Sequence, residues 1–392
     1  MVATTRLTGD MAGTRSDLLS LVLKTTTLTV LTLGIYSFWA RTRIRRWLWS
    51  SLQVDGIPFE YAGRPLEKLM GFVIAAVIVA IYLGLVVMVL IFTSLNLFGG
   101  VGPGTAAAFA LLLPVYWFAK YRGQRYLLNH TRWRGIAFSM APGAWGYLLR
   151  ATCWTIATVL TAGILLPLRA HRLWQYRVER TYYGDDHFRF DTKAGDLYPH
   201  FGFVLIGLFG SLLSGVYGFM RDESALVGLL IFVPLLLFGW VYWRVASFRI
   251  LASGLRFGGA MDLTVAPRTG AVIGIHLLGW ILMGLLFLAV AAVLAFAFGF
   301  FAVGAQANID LEVLENLSPY LLAVGGILFY LTFFVLRGAL RIAMVTFPLF
   351  RHVARTLSVS NAVEVNAVCQ GEASHMADAD GFANLFDFGS GV

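Results

Sequence analysis

The chain has 392 residues, of which 58% are hydrophobic and 13% are charged, against about 45–50% and about 25% in ordinary globular proteins. With only two cysteines, this composition excludes a soluble globular, a disordered and a disulfide-stabilised protein, and it indicates an integral membrane protein. The net charge of +9 is typical of basic cytoplasmic loops, so nucleic acid is not an expected partner.

Eight apolar stretches are candidate membrane spans, because about 20 helical residues cross a bilayer core. In chain order they cover 18–40, 69–95, 105–119, 148–168, 201–220, 225–243, 271–303 and 319–340. The short connections 96–104, 221–224 and 304–318 contain Arg221 and no other Lys or Arg. The positive-inside rule therefore assigns the other connections and both termini to the cytoplasm. The second and third, fifth and sixth, and seventh and eighth stretches then form three hairpins.

The first and fourth stretches each begin and end beside a predicted cytoplasmic segment, so neither is expected to be a simple span. Each contains a T-x-G-I motif, with Thr32 and Gly34 in the first stretch and Thr161 and Gly163 in the fourth. Glycine weakens a helix interior by about 1 kcal/mol relative to alanine. We therefore predict two broken or re-entrant helices beside six full spans. Eight full spans, with one basic segment on the outer face, is the alternative.

An offset of 129 residues superimposes the two T-x-G-I motifs without a gap and predicts an internal repeat. The same offset aligns Arg43 with Arg172, Phe59 with Phe188, and Phe72 with Phe201. The predicted organisation is a polar N-terminal segment at 1–17, repeat one at 18–147, repeat two at 148–270, a final hairpin at 271–365 and a polar, acidic tail at 366–392.

A short segment of alternating residues follows each basic run and is typical of a β-strand. These segments are 54–61, 133–140, 185–192, 254–265 and 356–365. Because an isolated short hairpin is marginal in water, we expect pairing into a small cytoplasmic sheet; separate hairpins or interfacial loops are the alternative. The predicted fold class is an all-α polytopic membrane protein with small cytoplasmic β elements.

Basic and aromatic residues form a belt on the predicted cytoplasmic face, where juxtamembrane Lys and Arg attract anionic lipid. The candidate lipid contacts are Arg41, Arg43, Arg45, Arg46, Trp49, Lys120, Arg122, Arg125, Arg132, Arg134, Arg172 and Arg177. On one helix Arg41, Arg45 and Trp49 would share a face, and a guanidinium pairs bidentately with phosphate. Ordinary positive-inside anchoring is the alternative explanation.

Enzyme motifs are not found in the sequence: the seven His residues show no metal-ligand spacing, and no nucleophile elbow or phosphate loop occurs. We predict a non-enzymatic protein without cofactor or metal, which organises anionic lipid or scaffolds partners. Membrane lipids are the expected partners, and the sequence identifies no protein partner. A transporter or channel for a small solute is the alternative function, although the predicted spans lack central carboxylates.

Two motifs carry a resemblance to a known family. The run T-L-G-I-Y-S-F-W-A-R-T-R-I-R-R at 32–46, followed by V-D-G-I-P-F-E-Y-A-G-R-P-L-E-K-L-M-G-F at 54–72, resembles the YjgN family of bacterial inner-membrane proteins. The segment 121–138 and the ending D-G-F-A-N-L-F-D-F-G at 380–389 are similar to further signatures of that family. The resemblance implies an inner-membrane location. It implies no activity and no catalytic residue, because the family is a domain of unknown function.

Overall fold

A computed structural model describes residues 6–258, 261–306, 323–324, 326–327, 330–331, 333–360 and 368–370. In this part of the chain, short strands alternate with helices. The helices are α1 (Arg15–Leu31), α2 (Ser37–Ser51), α3 (Pro65–Phe98), α4 (Gly102–Asn129), α5 (Ala144–Leu160), α6 (Leu166–Val178), α7 (Gly202–Met220), α8 (Leu229–Ser253), α9 (Thr269–Gln306) and α10 (Phe333–Thr356). The strands are β1 (Leu7–Met11), β2 (Leu52–Val54), β3 (Ile57–Tyr61), β4 (Thr131–Trp133), β5 (Ile136–Met140), β6 (Thr181–Tyr183), β7 (Asp186–Phe190), β8 (Leu255–Phe257), β9 (Met261–Val265) and β10 (Leu357–Ser360).

The ten described strands form one closed antiparallel barrel, in which β1 pairs with both β2 and β10. Two of its hairpins turn through D-G and R-G pairs. Asp55 and Gly56 have φ of 53° and 74°, and Arg134 and Gly135 have φ of 52° and 78°. Positive φ at both central residues is the type I′ geometry that matches the twist of a two-residue hairpin.

The predicted all-α class is therefore wrong. The five expected β segments do contain strands, apart from 361–365, which lies outside the described residues. The sequence interpretation missed β1, whose L-T-G-D-M alternates buried and exposed residues inside the segment predicted as a polar N-terminus. With β1 present, the sheet closes on itself and has no free edges, whereas an open sheet of short hairpins would expose them.

Apolar side chains fill the end of the barrel that lies next to the hairpin turns. The buried cluster consists of Leu7, Val54, Trp133, Tyr183, Phe257 and Val359, and Val368 packs against it. The Tyr183 hydroxyl donates to the carbonyl oxygen of Trp133 at 3.0 Å. Burial raises the pKa of Tyr183 to about 12, so the phenol is neutral and can donate at physiological pH.

Six helices in the described chain are long and apolar enough to cross a membrane, namely α3, α4, α7, α8 with the turn before it, α9 and α10. Their apolar side chains are largely exposed; Phe219 is 87% exposed and Leu230 is 75% exposed. Exposed apolar surface on this scale is typical of helices in lipid. The protein is therefore membrane-associated.

The hairpin of α7 and α8 is held by close approach of two helix backbones. A Cβ added at Gly207 would lie 2.6 Å from the backbone of Leu236, and one at Gly239 would lie 2.8 Å from the backbone of Phe203. Small residues permit this spacing between helices in membranes. A Cβ at Gly215, two turns further along α7, would meet nothing within 4 Å.

Turns of five residues interrupt the stretches predicted at 18–40 and 148–168, and separate α1 from α2 and α5 from α6. Leu33 and Gly34 have φ of 50° and 94°, and Ala162 and Gly163 have φ of 48° and 91°. The two turns therefore share one backbone conformation, which a residue with a side chain adopts only at a cost. The longer internal repeat stays a prediction.

A threonine organises each of these turns. Thr32 Oγ1 accepts a hydrogen bond from the backbone N–H of Tyr36 at 2.9 Å, and Thr161 Oγ1 accepts one from Leu165 at 3.3 Å. Each hydroxyl also donates to the carbonyl four residues before it. The hydroxyl thus bonds to backbone groups on both sides of the turn.

The chain divides into two compact units. The first contains all ten strands with α3 to α8, and comprises Met1–Met11, Trp49–Thr269 and His352–Ser390. The second contains α1 and most of α2, α9 and α10, and comprises Ala12–Leu48 and the described residues of Gly270–Arg351. Within the second unit, the rings of Trp47 and Phe347 lie 5.8 Å apart.

Candidate functional site

A pocket of about 380 Å³ lies among helices α4, α5, α6 and α8 of the first unit. Among its described lining residues are four cations and no Asp or Glu. The lining consists of Trp117, Lys120, Tyr147, Leu166, Arg169, Ala170, Leu173, Trp174, Arg177, Trp240, Trp243, Arg244, Ser247, Phe248 and Leu251. We call this cavity the basic pocket.

Helical periodicity explains why these residues converge. Residues three or four apart lie on the same face of a helix. In α6 the spacing runs through Arg169, Leu173 and Arg177, and in α8 it runs through Trp243, Ser247 and their neighbours. Each helix thus contributes one continuous stripe of side chains to the basic pocket.

Two of the cations lie over the indole ring of Trp117. The guanidinium carbon of Arg169 is 4.8 Å from the ring centre of Trp117, and Lys120 Nζ is 5.3 Å from a ring centre of the same side chain. A cation is attracted to the face of an aromatic ring. Burial lowers the pKa of Arg169, and the nearby phenols oppose that shift. A guanidinium nonetheless stays charged in proteins, so the pocket keeps a positive charge here.

Arg177 is fixed by contacts along its whole length. Its Nη1 donates to Gln124 Oε1 at 2.9 Å, and its Nε donates to the carbonyl of Leu173 at 3.2 Å. Its guanidinium carbon lies 5.2 Å from the ring centre of Trp174. None of these partners carries a negative charge, so the contacts orient the guanidinium without neutralising it.

Several buried polar atoms in the pocket wall have no hydrogen-bond partner among the described residues. They are the indole Nε1 atoms of Trp117, Trp174 and Trp243 and the hydroxyl oxygen of Ser247. Trp243 is 4% exposed and Ser247 is 5% exposed. A buried donor without a partner costs about 1–3 kcal/mol. Four such donors beside four cations therefore make a site that an anion with several acceptor oxygens would satisfy.

A second cavity, of about 310 Å³, occupies the barrel interior toward the helix ends. Its lining is almost entirely apolar and comes from the strands and from the C-terminal turns of α4 and α6. The lining consists of Leu7, Val54, Phe59, Gln124, Leu128, Trp133, Phe138, Trp174, Val178, Thr181, Tyr183, Phe188, Leu255, Phe257, Leu263, Leu357 and Val359. We call it the barrel cavity.

Of the twelve lipid contacts predicted from the sequence, the basic pocket contains Lys120 and Arg177. The four predicted arginines of α2, Arg41, Arg43, Arg45 and Arg46, belong to the second unit. Arg43 lies over the ring of Tyr36 at 5.9 Å. These arginines remain candidate lipid contacts, separate from the pocket lining.

The remaining predicted residues lie in the first unit outside the pocket lining. Two of them donate hydrogen bonds: Trp49 Nε1 to Thr131 Oγ1 at 3.1 Å, and Arg125 Nε to the carbonyl oxygen of Met140 at 3.0 Å. Two place a guanidinium over an aromatic ring, Arg122 over Phe118 at 5.8 Å and Arg134 over Trp133 at 4.5 Å. Arg132 pairs with Glu60 across neighbouring strands, and Arg172 is exposed. Several of them stabilise the barrel and the helix ends that precede it.

The sequence interpretation missed Arg169, Arg244, Trp243 and Ser247 as site residues. Arg169 and Arg244 belong to basic runs that the sequence does display, and the i, i+4 spacing of Trp243 and Ser247 is also visible there. The pairing of α6 with α8 across the pocket has no sequence signal, so the convergence of the two stripes could not be predicted.

The basic pocket presents groups that can bind an anion, namely guanidinium groups, an ammonium group, indole N–H groups and the hydroxyl of Ser247. Among the described residues, no group of three His, Cys, Asp or Glu side chains is placed to hold a metal ion. The arrangement can therefore bind and orient an anion through its own side chains.

Comparison with known proteins gives one result. A family model described as "Bacterial protein of unknown function (DUF898)" matches residues 7–285. Neither the curated proteins nor the solved structures contain a match. The family match confirms the resemblance inferred from the two sequence motifs. Because it covers more than half of the 392 residues, the chain belongs to this bacterial family of unknown function, the YjgN type.

Proposed function

We propose that this protein is a non-enzymatic protein of the bacterial inner membrane that binds the headgroup of an anionic lipid in the basic pocket. The observation that carries the proposal is a cavity whose described lining combines four cations, no carboxylate and four buried polar atoms that have no partner among the described residues. A phosphate suits it, because guanidinium groups match phosphate oxygens bidentately and indole N–H groups supply further donors.

Lipid is favoured over a soluble anion by where the pocket residues lie along their helices. Trp117 and Lys120 belong to α4, and Trp240 to Leu251 belong to α8, and both helices are long and apolar enough to span a bilayer. Tryptophan and tyrosine prefer the headgroup level of a membrane. A pocket that combines both features on spanning helices fits a lipid headgroup.

The sidedness of the proposal rests on the distribution of Lys and Arg. The pocket cations belong to the basic runs that the positive-inside rule assigns to the cytoplasm. In this topology the protein is multi-pass, the spanning helices pair as three hairpins, and the barrel and both termini are cytoplasmic. Single cysteines at Gly135 and Gly195 should then resist a membrane-impermeant thiol reagent, while one at Ser224 should react.

The direct test is the lipid inventory of the purified protein by native mass spectrometry. Replacing Arg169 and Arg244 by Gln removes two pocket charges, each worth about 1 kcal/mol toward anionic lipid, so retention should fall about tenfold or more. The matched control replaces Arg132 and Arg172, two exposed arginines outside the pocket lining, by Gln. Equal losses in both variants would show a general effect of positive charge and would overturn the pocket as the binding site.

A further inference from the structure

The basic pocket and the barrel cavity share a wall. Trp174 lines both of them. Beside it, the hydrogen bond of 2.9 Å between Arg177 and Gln124 joins a residue of the basic pocket to a residue of the barrel cavity. The charged site and the apolar chamber are therefore neighbours within one unit.

The same two helices lead from one cavity into the other. Along α4, Lys120 lines the basic pocket, and Gln124 and Leu128 line the barrel cavity. These three residues are four apart on one helix face and span about 12 Å along the axis. Along α6, Arg177 lines the pocket and Val178 lines the cavity. The lining thus changes from cationic to apolar over a distance comparable to a lipid molecule's polar end.

We propose that the two cavities together hold a single-chain lipid with a phosphate headgroup: the phosphate binds in the basic pocket and the hydrocarbon chain enters the barrel. This rests on the proposed function and names its ligand class. The unpartnered Nε1 of Trp174 stands at the boundary, where a lipid has glycerol or ester oxygens that accept a hydrogen bond. The chain would meet Phe59, Phe188 and Leu263.

One chain, rather than two, fits the chamber. Barrels of about eight strands have interiors that side chains fill or that admit one small ligand, and the barrel here is only slightly wider, with ten strands. Here the interior is narrowed by aromatic side chains from six strands, and the cluster that includes Trp133 and Tyr183 closes the end next to the turns. A cavity of about 310 Å³ is at the lower end of the range for small-molecule sites, about 300–1,000 Å³.

The test uses the full-length protein in lipid nanodiscs with a palmitoyl-length lysophosphatidic acid that carries a diazirine at the end of its chain. After irradiation, we expect adducts on barrel peptides that contain Phe188 or Leu263. A monoacylglycerol with the same chain and no phosphate is the control and should label these peptides at background level. Added inorganic phosphate should not displace the probe as effectively as unlabelled lysophosphatidic acid, because it lacks the chain.

Variants separate this inference from the proposed function. Leu263→Trp fills the chamber and should reduce barrel adducts about tenfold, while headgroup retention that depends on Arg169 persists. Val359→Phe provides a second filling variant in case the first does not fold. If the parent protein gives adducts only on the outer faces of the spanning helices, yet Arg169→Gln still releases the probe, the chain inference is overturned and the headgroup site stands. If Arg169→Gln releases nothing, the proposed function itself fails.

Discussion

The two broken helix pairs, α1 with α2 and α5 with α6, have turns of the same conformation but differ in the residues of the helix that follows the turn. Both turns have the same sequence of positive φ values. At the 129-residue offset, Arg169 of α6 takes the position of Ala40 in α2, and Arg177 takes that of Leu48. Ala40 is 7% exposed and Leu48 is 1% exposed. The same turn conformation is thus followed by a cationic stripe in α6 and by a buried apolar stripe in α2.

The T-x-G-I motif therefore determines where the helix turns and not what the following helix binds. Binding character comes from the residues of the second helix and from the helices opposite it. In α6 those opposite residues include Trp117 and Trp243, which complete the basic pocket.

Leu48→Arg should unfold the protein or reduce its stability severely. The substitution gives α2 the residue that α6 has in the matching position, but it places a charge where the side chain is 1% exposed. Burial of an unpaired charge is among the few single changes that cost about 4–5 kcal/mol or more. Recovery of monodisperse protein after extraction measures it, with Leu48→Met as the volume-matched control. Normal recovery of Leu48→Arg would mean that α2 can accept the cationic stripe.

Gly34→Ala and Gly163→Ala should each lower the free energy of unfolding by about 1–2 kcal/mol, because each places a side chain at positive φ. A Cβ at Gly34 meets nothing within 4 Å, and one at Gly163 meets only an ordinary contact of 3.4 Å. Equal decreases in apparent melting temperature are therefore expected. Gly215→Ala, in regular helix and open space, is the control and should not decrease it. Unequal losses would show that the two turns are not equivalent.

Tyr176→Phe should cost about 1 kcal/mol of stability, because the Tyr176 hydroxyl donates to the carbonyl of Gly143 at 2.9 Å. The matching position in α2 is Trp47, which has no hydroxyl. Tyr147→Phe is the control, since that hydroxyl makes no hydrogen bond to the described residues. Thermal unfolding of the two variants in the same detergent compares them. A loss in both of equal size would point to ring packing instead of the hydroxyl.

Thr32→Val and Thr161→Val should give the smallest effects, about 0.5–1 kcal/mol each. Valine keeps the shape of threonine and removes the hydroxyl that accepts the N–H of Tyr36 or Leu165. The loss should be larger at Thr32, where the hydrogen bond measures 2.9 Å, than at Thr161, where it measures 3.3 Å. Hydrogen exchange at those two amides reports the change directly, and unchanged exchange would contradict the assigned role.

The strands and apolar helices of this protein could be predicted from its sequence, whereas the closure of the strands into a barrel could not. Alternation in segments such as 133–140 indicated strands, and hydropathy indicated membrane helices. The barrel required β1 to pair with β10, between residues such as Leu7 and Val359 that are hundreds of positions apart, and a short strand carries no signal for its partner. Lys120 and Arg177 could likewise be named as candidate site residues from the sequence. That they line one pocket with Arg244 depends on helix packing, which a single sequence does not reveal.

The pairing of β1 with β10 also sets an order for assembly. During synthesis β1 can pair with β2 as soon as residues 52–54 leave the ribosome, but its other edge stays open until residues 357–360 follow. All the long apolar helices between them must be synthesised in that interval. The half-formed sheet therefore has an exposed edge for most of the time of translation, and the nascent protein is then at its most vulnerable to aggregation and proteolysis.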